Sequence, residues 1–247
     1  MAQNYNIDLL VISCDNYSDV WDIFFSELFK FWVDCPINIY LLTNFKSFDH
    51  SRIKSIKVGE DKSWSDNLLI GLDHLEKDYV LILIEDLLIR KNISLRYFNQ
   101  ISKWIDKNTP NYLRLTNSHN LSPYDSLVWK IPDKTPYKTS IMPCIWKRDT
   151  LKELLRSGES AWDFEEKGTI RAHTYPNFYS LNIDFINYYN SIIKGKWRRA
   201  ILKYETGKKS LSRPIMSYYE EIVYLTKIVK SKFFNILPIK LKRLIRD

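Results

Sequence analysis

An uninterrupted apolar run, Tyr79-Val80-Leu81-Ile82-Leu83-Ile84, is followed at once by two carboxylates, Glu85 and Asp86. A short run rich in branched residues is typical of a strand that is buried on both faces, as in parallel sheets. A second run, residues 7–13, also ends in turn-forming polar residues, among them Asp15. The two runs predict neighbouring buried strands with polar side chains at their exits.

Helical patterns alternate with these strands. Residues 20–32 carry apolar side chains at helical spacing, and Pro36 ends that pattern. Further strands are predicted at 37–43 and 53–58, and Ser63-Trp64-Ser65-Asp66 has the form of a helix start. The alternation predicts an α/β fold with a mainly parallel sheet, helices on both faces, and ligands at the carboxyl ends of the strands.

The chain of 247 residues is expected to form one domain over residues 1–200 and a basic helical segment over 201–247. Hydrophobic residues make up 45% of the chain and charged residues 27%, which favours a folded core over disorder. The three cysteines include no C-x-x-C pair, so a disulfide framework and a zinc ribbon are both disfavoured. The first eight residues lack a signal-peptide pattern, and we expect neither secretion by that route nor a membrane span.

The net charge of +8 is concentrated near the C-terminal end of the chain. Residues 194–247 contain 15 Lys and Arg against 4 Asp and Glu. Apolar residues such as Ile222 and Leu225 lie between the basic ones, which favours an anionic membrane surface over duplex nucleic acid. We expect a mostly helical segment from Tyr218 with a break at Pro238. The alternative is that its apolar stripe packs on the protein's own core.

Five motifs at strand ends and helix starts occur in a characteristic order. They are Ser13-Cys14-Asp15, Phe31-Trp32-Val33-Asp34-Cys35-Pro36, Ile39-Tyr40-Leu41-Leu42-Thr43-Asn44, Trp64-Ser65-Asp66-Asn67 and the run from Tyr79 to Asp86. Together they resemble bacterial GT-A glycosyltransferases that build lipopolysaccharide or capsule, over about residues 7–200. In that superfamily, carboxylates after the central strand hold a metal on the diphosphate of a nucleotide sugar. The resemblance therefore implies a Mg or Mn ion at Asp86, although Leu87 stands where a third acidic residue would be expected.

The resemblance also implies which residues bind the donor. Asp15, Asp66 and Asn67 would line the nucleoside end, and Glu85 and Asp86 the diphosphate or donor sugar. Spacing alone leaves another interpretation open, in which Asp86 caps a turn and Glu85 pairs on the surface.

A second acidic segment, residues 158–166, contains four carboxylates around Trp162 and Phe164. Aromatic faces stack on sugar rings while carboxylates bond to hydroxyl groups, so the segment is a candidate acceptor site centred on Trp162. An inverting transfer needs a carboxylate that accepts the acceptor's proton. The candidate bases are Glu159, Asp163 and Glu165. The alternative is a solvated acidic turn with both aromatic side chains packed into the core.

Two cations complete the predicted site. Arg114 lies in the apolar run 112–115, where it is expected to pair with a carboxylate and to reach the acceptor. Lys196 belongs to the basic cluster 194–199, which can close over a diphosphate leaving group. A membrane-facing role for that cluster is the alternative.

The sequence thus predicts an enzyme that transfers a sugar from a nucleotide-diphosphate donor to a lipid-linked surface glycan. It would act on the cytoplasmic face of the membrane, with no nucleic acid partner. A non-catalytic, membrane-peripheral assembly protein on the same fold is the first rival. A nucleic-acid-binding protein, suggested only by the net charge, is the second.

Overall fold

The computed structural model describes residues 4–117, 121–203 and 212–236. Within these ranges the strands are β1 (Ile7–Ile12), β2 (Ile39–Thr43), β3 (Ile53–Lys57), β4 (Tyr79–Ile84), β5 (Leu87–Ile89), β6 (Tyr112–Arg114), β7 (Ser122–Pro123), β8 (Val128–Lys130), β9 (Cys144–Lys147), β10 (Phe178–Leu181), β11 (Tyr188–Asn190), β12 (Ile192–Ile193) and β13 (Lys196–Trp197). The helices are α1 (Ser18–Phe31), α2 (Trp64–Asp73), α3 (Leu95–Asn108), α4 (Arg148–Leu154), α5 (Ala161–Asp163), α6 (Thr169–Arg171) and α7 (Tyr218–Ile236). A π-helical turn, Phe164–Gly168, joins α5 to α6, and 3₁₀ turns lie at Asp15–Tyr17, Ala172–Thr174 and Arg199–Lys203.

The largest sheet in the described ranges has the order β3-β2-β1-β4-β9-β6-β10-β8-β7. β1 pairs in parallel with β2 and β4, and β2 pairs in parallel with β3. β9 runs antiparallel to both β4 and β6, so β6 and its parallel neighbour β10 point the same way as β4. The predicted mainly parallel α/β fold is confirmed. The strands of this common direction end at one edge of the sheet, which we call the carboxyl edge.

The sheet is buried on both faces because each strand alternates its side chains. Leu10 and Ile12 belong to a core cluster that includes Leu72 of α2 and Leu151 of α4. Leu9 and the residues that alternate with this pair along β1 point to the opposite face and are also buried. Helices therefore cover both faces, as the sequence pattern predicted.

Two helices begin directly after a capping serine, and the first of them begins at the predicted helix start. Ser63 precedes α2, and its hydroxyl accepts the backbone N–H of Asp66 at 3.1 Å. Ser94 caps α3 in the same way through the N–H of Tyr97. The acidic segment 158–166 is not the simple turn of the alternative interpretation, because a continuous helical run extends from Ala161 through the π turn.

Asn190–Asp247 forms a second compact unit, and Met1–Tyr189 forms the first. In the second unit, α7 begins at Tyr218, where the helical segment was predicted. The predicted basic segment after Pro238 lies outside the described residues. In the part of the chain that the structure describes, every helix is too short or too polar to cross a bilayer.

Glu27 gives a prediction about stability and pH. It lies buried on α1, 3.7 Å from the Lys30 ammonium, and burial raises the pKa of its carboxyl. A raised carboxyl pKa in the folded state removes stability as pH climbs from the unfolded pKa through the folded one. We therefore expect Glu27→Gln to raise the free energy of unfolding at pH 7.5 and to leave it nearly unchanged at pH 4, as measured by urea denaturation. A variant that is less stable than wild type at pH 7.5 would contradict this expectation.

Candidate active site

Asp15 follows β1 and fastens the exit of the neighbouring strand β2. Its carboxylate accepts the backbone N–H groups of Asn44, Phe45 and Lys46 at 3.0 to 3.2 Å. The Asn44 side chain in turn accepts the N–H of Asp15 at 3.0 Å and donates to the carbonyl of Gly59 at 3.2 Å. The Asp15 carboxylate thus fastens the exit of β1 to that of β2, the Asn44 side chain extends the link to Gly59 beyond β3, and direct contact of Asp15 with a nucleoside stays a prediction.

Glu85 and Asp86 lie at the carboxyl edge, directly after β4. Glu85 is buried, and burial raises the pKa of Asp86 to about 6. Burial also raises the pKa of the Cys14 thiol, and the negative charges of Glu85 and Asp61 raise it further, which places Cys14 near both carboxylates. The exits of β1 and β4 therefore share one concentration of negative charge, a surrounding that a cation would stabilise.

The start of α2 joins this edge to the acidic segment. Asp66 accepts the Ser63 hydroxyl at 2.5 Å and the Gly158 N–H at 3.1 Å, and these hydrogen bonds lower the pKa of Asp66. Asn67 donates to Asp61 at 2.6 Å. Both predicted donor ligands thus act as anchors between loops, and their contact with the donor stays a prediction.

Glu159 is held by an arginine that the sequence analysis did not single out. Arg171 donates to both of its carboxylate oxygens, at 2.8 and 2.6 Å, and Glu159 is buried. The backbone of Glu159 also exchanges two hydrogen bonds with Ser65 on α2. A buried, bidentate pair of this kind fixes the segment on α2, and it leaves Glu159 poorly placed to accept a proton.

Asp163 caps a helix, and it does so as one half of a capping box with Ser160. Its carboxylate also pairs with Lys167 at 2.6 Å. The hydrogen bonds from Lys167 and Ser160 hold the pKa of Asp163 far below its usual range, which makes it a weak base.

The two aromatic residues of the acidic segment differ in their exposure to solvent. Trp162 is 75% exposed, so its ring is accessible for stacking on a sugar. Phe164 is fully buried and lies 5.6 Å from the ring of Trp64. The core-packing alternative therefore applies to Phe164 and not to Trp162.

Glu165 lies in the π-helical turn, an irregularity that occurs often at functional sites. One of its oxygens, Oε1, accepts the Ser140 hydroxyl at 3.1 Å and the Ile141 N–H at 2.9 Å. The carboxylate is half-buried and keeps the orientation that these two donors impose.

Arg114 ends β6 at the carboxyl edge. It lies opposite Cys144 of β9, which in turn lies opposite Ile82 of β4. Burial alone would lower the pKa of Arg114, but its neighbours Tyr112, Cys144 and Glu165 raise it. The structure therefore brings Arg114 near Glu165, a carboxylate of the acidic segment, at the edge where β4 presents Glu85 and Asp86.

Lys196 belongs to the second unit, where it pairs with Glu220 at 2.5 Å. Arg198 pairs similarly with Glu221 at 2.6 Å, so the first turn of α7 supplies partners for the basic cluster. The predicted contact between Lys196 and a diphosphate stays a prediction.

The predicted metal ion at Asp86 needs further ligands close to that carboxylate. Among the described residues, no group of three or more His, Cys, Asp and Glu side chains is arranged to hold a metal ion. Glu85 and Asp86 nevertheless supply hard oxygen ligands, and Mg²⁺ is commonly bound by one or two carboxylates together with substrate phosphates. The residues fit a metal that is shared with a diphosphate, and they do not fit a closed protein site.

No family model matches the chain, and no curated protein matches it. Solved structures with a similar fold include TarS 1–349 of S. aureus in complex with UDP-GlcNAc, at 13% identity and a TM-score of 0.46, covering 70% of this chain and 57% of TarS 1–349. The galactosyltransferase LgtC, in complex with donor and acceptor sugar analogues, matches at 11% identity and a TM-score of 0.39, covering 72% of this chain and 68% of LgtC. IspDF of Campylobacter jejuni matches at 12% identity and a TM-score of 0.38, covering 67% of this chain and 47% of IspDF. The chain thus spans less than two thirds of TarS 1–349, and likenesses this low establish no activity.

The different environments of the acidic residues predict different effects on stability. Glu159→Gln should lower the free energy of unfolding by about 3 kcal/mol, because it breaks a buried pair and leaves Arg171 without its charged partner. Glu165→Gln should change it by less than about 1 kcal/mol, since the new amide oxygen can still accept both hydrogen bonds. Urea denaturation at pH 7.5 measures both values. Equal losses in the two variants would contradict the division into structural and functional carboxylates.

Proposed function

We propose that the chain is a GT-A-type glycosyltransferase that uses a nucleotide-diphosphate sugar as its donor. The observation that carries the proposal is that charged groups lie along the carboxyl edge: Glu85 and Asp86 follow β4, and Arg114 ends β6 with Glu165 of the π turn near it. Ligands of open α/β sheets bind at this edge. Residues 1–200 form the catalytic domain in this proposal, and residues 201–247 form a docking segment.

The donor would lie against the exits of β1 and β4. Asp15, Asp66 and Asn67 hold the loops that enclose the nucleoside end, and Glu85 and Asp86 face the diphosphate or the donor sugar. Asp86 would hold a Mg or Mn ion at the donor site, and such an ion would supply positive charge to the donor's phosphates. Lys196 is proposed as an additional contact to the diphosphate.

The acceptor would lie against the exposed face of Trp162 and between Arg114 and Glu165. Glu165 is the proposed base, because Glu159 is bound by Arg171 and Asp163 is a weak base in its capping box. In an inverting transfer, Glu165 would take the proton of the acceptor hydroxyl as that oxygen attacks the anomeric carbon, while the bond from this carbon to the phosphate oxygen breaks and the nucleoside diphosphate leaves. Arg114 would orient the same acceptor through its guanidinium donors.

The acceptor is proposed to be a lipid-linked surface glycan of the lipopolysaccharide or capsule type, reached from the cytoplasmic face of the membrane. The support comes from α7, whose apolar side chains Tyr218, Ile222, Leu225 and Val229 recur on one helical face and are all exposed. Lys227 and Lys230 lie between them and are exposed as well. An exposed apolar stripe with flanking lysines fits an anionic lipid surface.

A non-catalytic assembly protein on the same fold is the alternative. It would share the membrane surface and would bind no nucleotide sugar. Burial raises the pKa of Asp86, and carboxyl groups with shifted pKa values are often found at functional sites. This favours the enzyme over the assembly protein.

Donor binding and turnover test the catalytic proposal. We expect calorimetry to detect binding of UDP or GDP, and MnCl2 to strengthen it. Glu85→Gln and Asp86→Asn should each lower turnover by at least about 100-fold, because the lost charge is felt most as the diphosphate departs. Asp78→Asn is the matched control, since Asp78 lies at the opposite end of β4 and is exposed; it should keep wild-type turnover. Absence of binding to either nucleotide would favour the assembly protein.

Vesicle binding tests the docking segment. Ile222→Gln combined with Val229→Gln should lower binding to vesicles that contain anionic lipid by about tenfold or more, because both side chains leave the apolar stripe. Val33→Gln is the control, since Val33 and Val229 are both 65% exposed and Val33 lies in the first unit. High salt should release the wild-type protein. Equal vesicle binding by the double variant and wild type would remove the membrane assignment and leave the catalytic one standing.

A further inference from the structure

A chain of hydrogen bonds joins Arg114 to Glu165. Arg114 Nε donates to the Tyr112 hydroxyl at 3.4 Å, and that hydroxyl donates to the carbonyl of Ser140 at 3.0 Å. The hydroxyl of Ser140 then donates to Glu165 Oε1 at 3.1 Å. Two charged side chains from distant parts of the sequence are thus linked through Tyr112 and Ser140.

The segment around Ser140 also contacts both charged groups through its backbone. Arg114 Nη2 donates to the carbonyl of Tyr137 at 3.0 Å, and the Ile141 N–H donates to Glu165 Oε1 at 2.9 Å. Tyr137 has a φ of 53°, a left-handed conformation that costs a non-glycine residue roughly 1 kcal/mol or more. Such a conformation persists only where the surrounding contacts enforce it.

Buried anchors hold this segment in place. Lys138 is fully buried, and its ammonium donates to the carbonyl of Ala172 at 2.8 Å and to that of Tyr175 at 2.9 Å. The hydroxyl of Thr139 donates to the carbonyl of Phe164 at 3.1 Å. The segment is therefore attached to the helical run on both sides of Glu165.

The buried phenol gives the chain a fixed direction. Burial raises the pKa of Tyr112 far above its ordinary value, so its hydroxyl keeps its proton at every working pH. That single proton goes to the Ser140 carbonyl, which leaves the phenol oxygen free to accept from Arg114. The single proton of the Ser140 hydroxyl goes to Glu165.

We propose that Tyr112 and Ser140 are positioning residues that hold Arg114 and Glu165 at a fixed separation and orientation for the acceptor. Neither residue touches the acceptor. The inference rests on the proposed function, because the two groups that it orients are the proposed base and the proposed acceptor ligand. Its physical reason is that a base must meet the acceptor hydroxyl at hydrogen-bond distance, and small displacements lower the rate steeply.

Hydrogen exchange tests the hydrogen-bond chain without any activity assay: one member of it is mutated, and the exchange rate of an N–H group at its other end is measured. Tyr112→Phe should speed exchange of the Ile141 amide by about tenfold or more, and Ser140→Ala should speed exchange of the Arg114 Nε–H by about threefold or more. Tyr179→Phe and Ser102→Ala are the controls, since both remove a hydroxyl from a buried residue outside the chain. They should leave both exchange rates within about twofold of wild type.

Kinetics test the positioning role. Each of Tyr112→Phe and Ser140→Ala should lower kcat by about tenfold or more while the KM for the donor changes by less than about threefold, because the donor lies against other residues. The two controls should keep both parameters.

The outcomes separate the inference from the proposed function. If the Ile141 amide and the Arg114 Nε–H exchange at wild-type rates in both variants, the hydrogen-bond chain is overturned. If exchange is faster but kcat stays at the wild-type value, the positioning role is overturned. If Ser140→Ala does not fold, Tyr112→Phe decides alone. A wild-type protein that transfers no sugar overturns the proposed function, while the exchange rates still show whether the chain exists.

Discussion

β4 is buried on both faces, so the polar side chains that it can present are those that follow its last residue. β1 and β2 pair in parallel with the same sheet direction and are buried along their whole lengths as well. Because these strands share one direction, their polar exits meet at one edge, and mutual repulsion between their carboxylates has to be offset there. Backbone N–H groups do so for Asp15, and Asp86, which is half-buried, has its pKa raised by burial to about 6. The position of the candidate site follows from this constraint on burial.

The carboxylates of the acidic segment differ in role: two of them stabilise the local structure, and one is a candidate base. Glu159 and Asp163 each have a strong donor close by: a guanidinium for the first, and a helix N-terminus with a lysine for the second. Glu165 is held more lightly, by a hydroxyl and one N–H, and it lies in the π turn where the regular helix is interrupted. Glu159 and Asp163 are thus engaged in fixing the segment through cationic partners, which is why Glu165 differs from them as a candidate.

The sequence predicted the fold because its signals are local. Apolar runs marked β1 and β4, and serine caps marked the start of α2, so each element could be found from about ten neighbouring residues. The partners inside the site could not be found in this way. Arg171, Ser140 and Lys138 carry no motif, and their importance arises only when segments from separate parts of the chain pack together. The helical run of the acidic segment was missed for a different reason, since its start is local: Ser160 and Asp163 form a capping box of the same S-x-x-D pattern that predicted α2.

The basic C-terminal region makes a related point about charge. Its excess of Lys and Arg predicted a cluster at 194–199 that is open to an anionic ligand, yet in the second unit Lys196 and Arg198 each pair with a glutamate of α7. Local pairing thus removes part of the charge that a count over the sequence suggests. Lys227 and Lys230 remain exposed on α7 beside its apolar stripe. An anionic lipid surface attracts the lysines and also buries the apolar side chains between them. The phosphate backbone of a nucleic acid would attract the lysines but leave the apolar side chains in water.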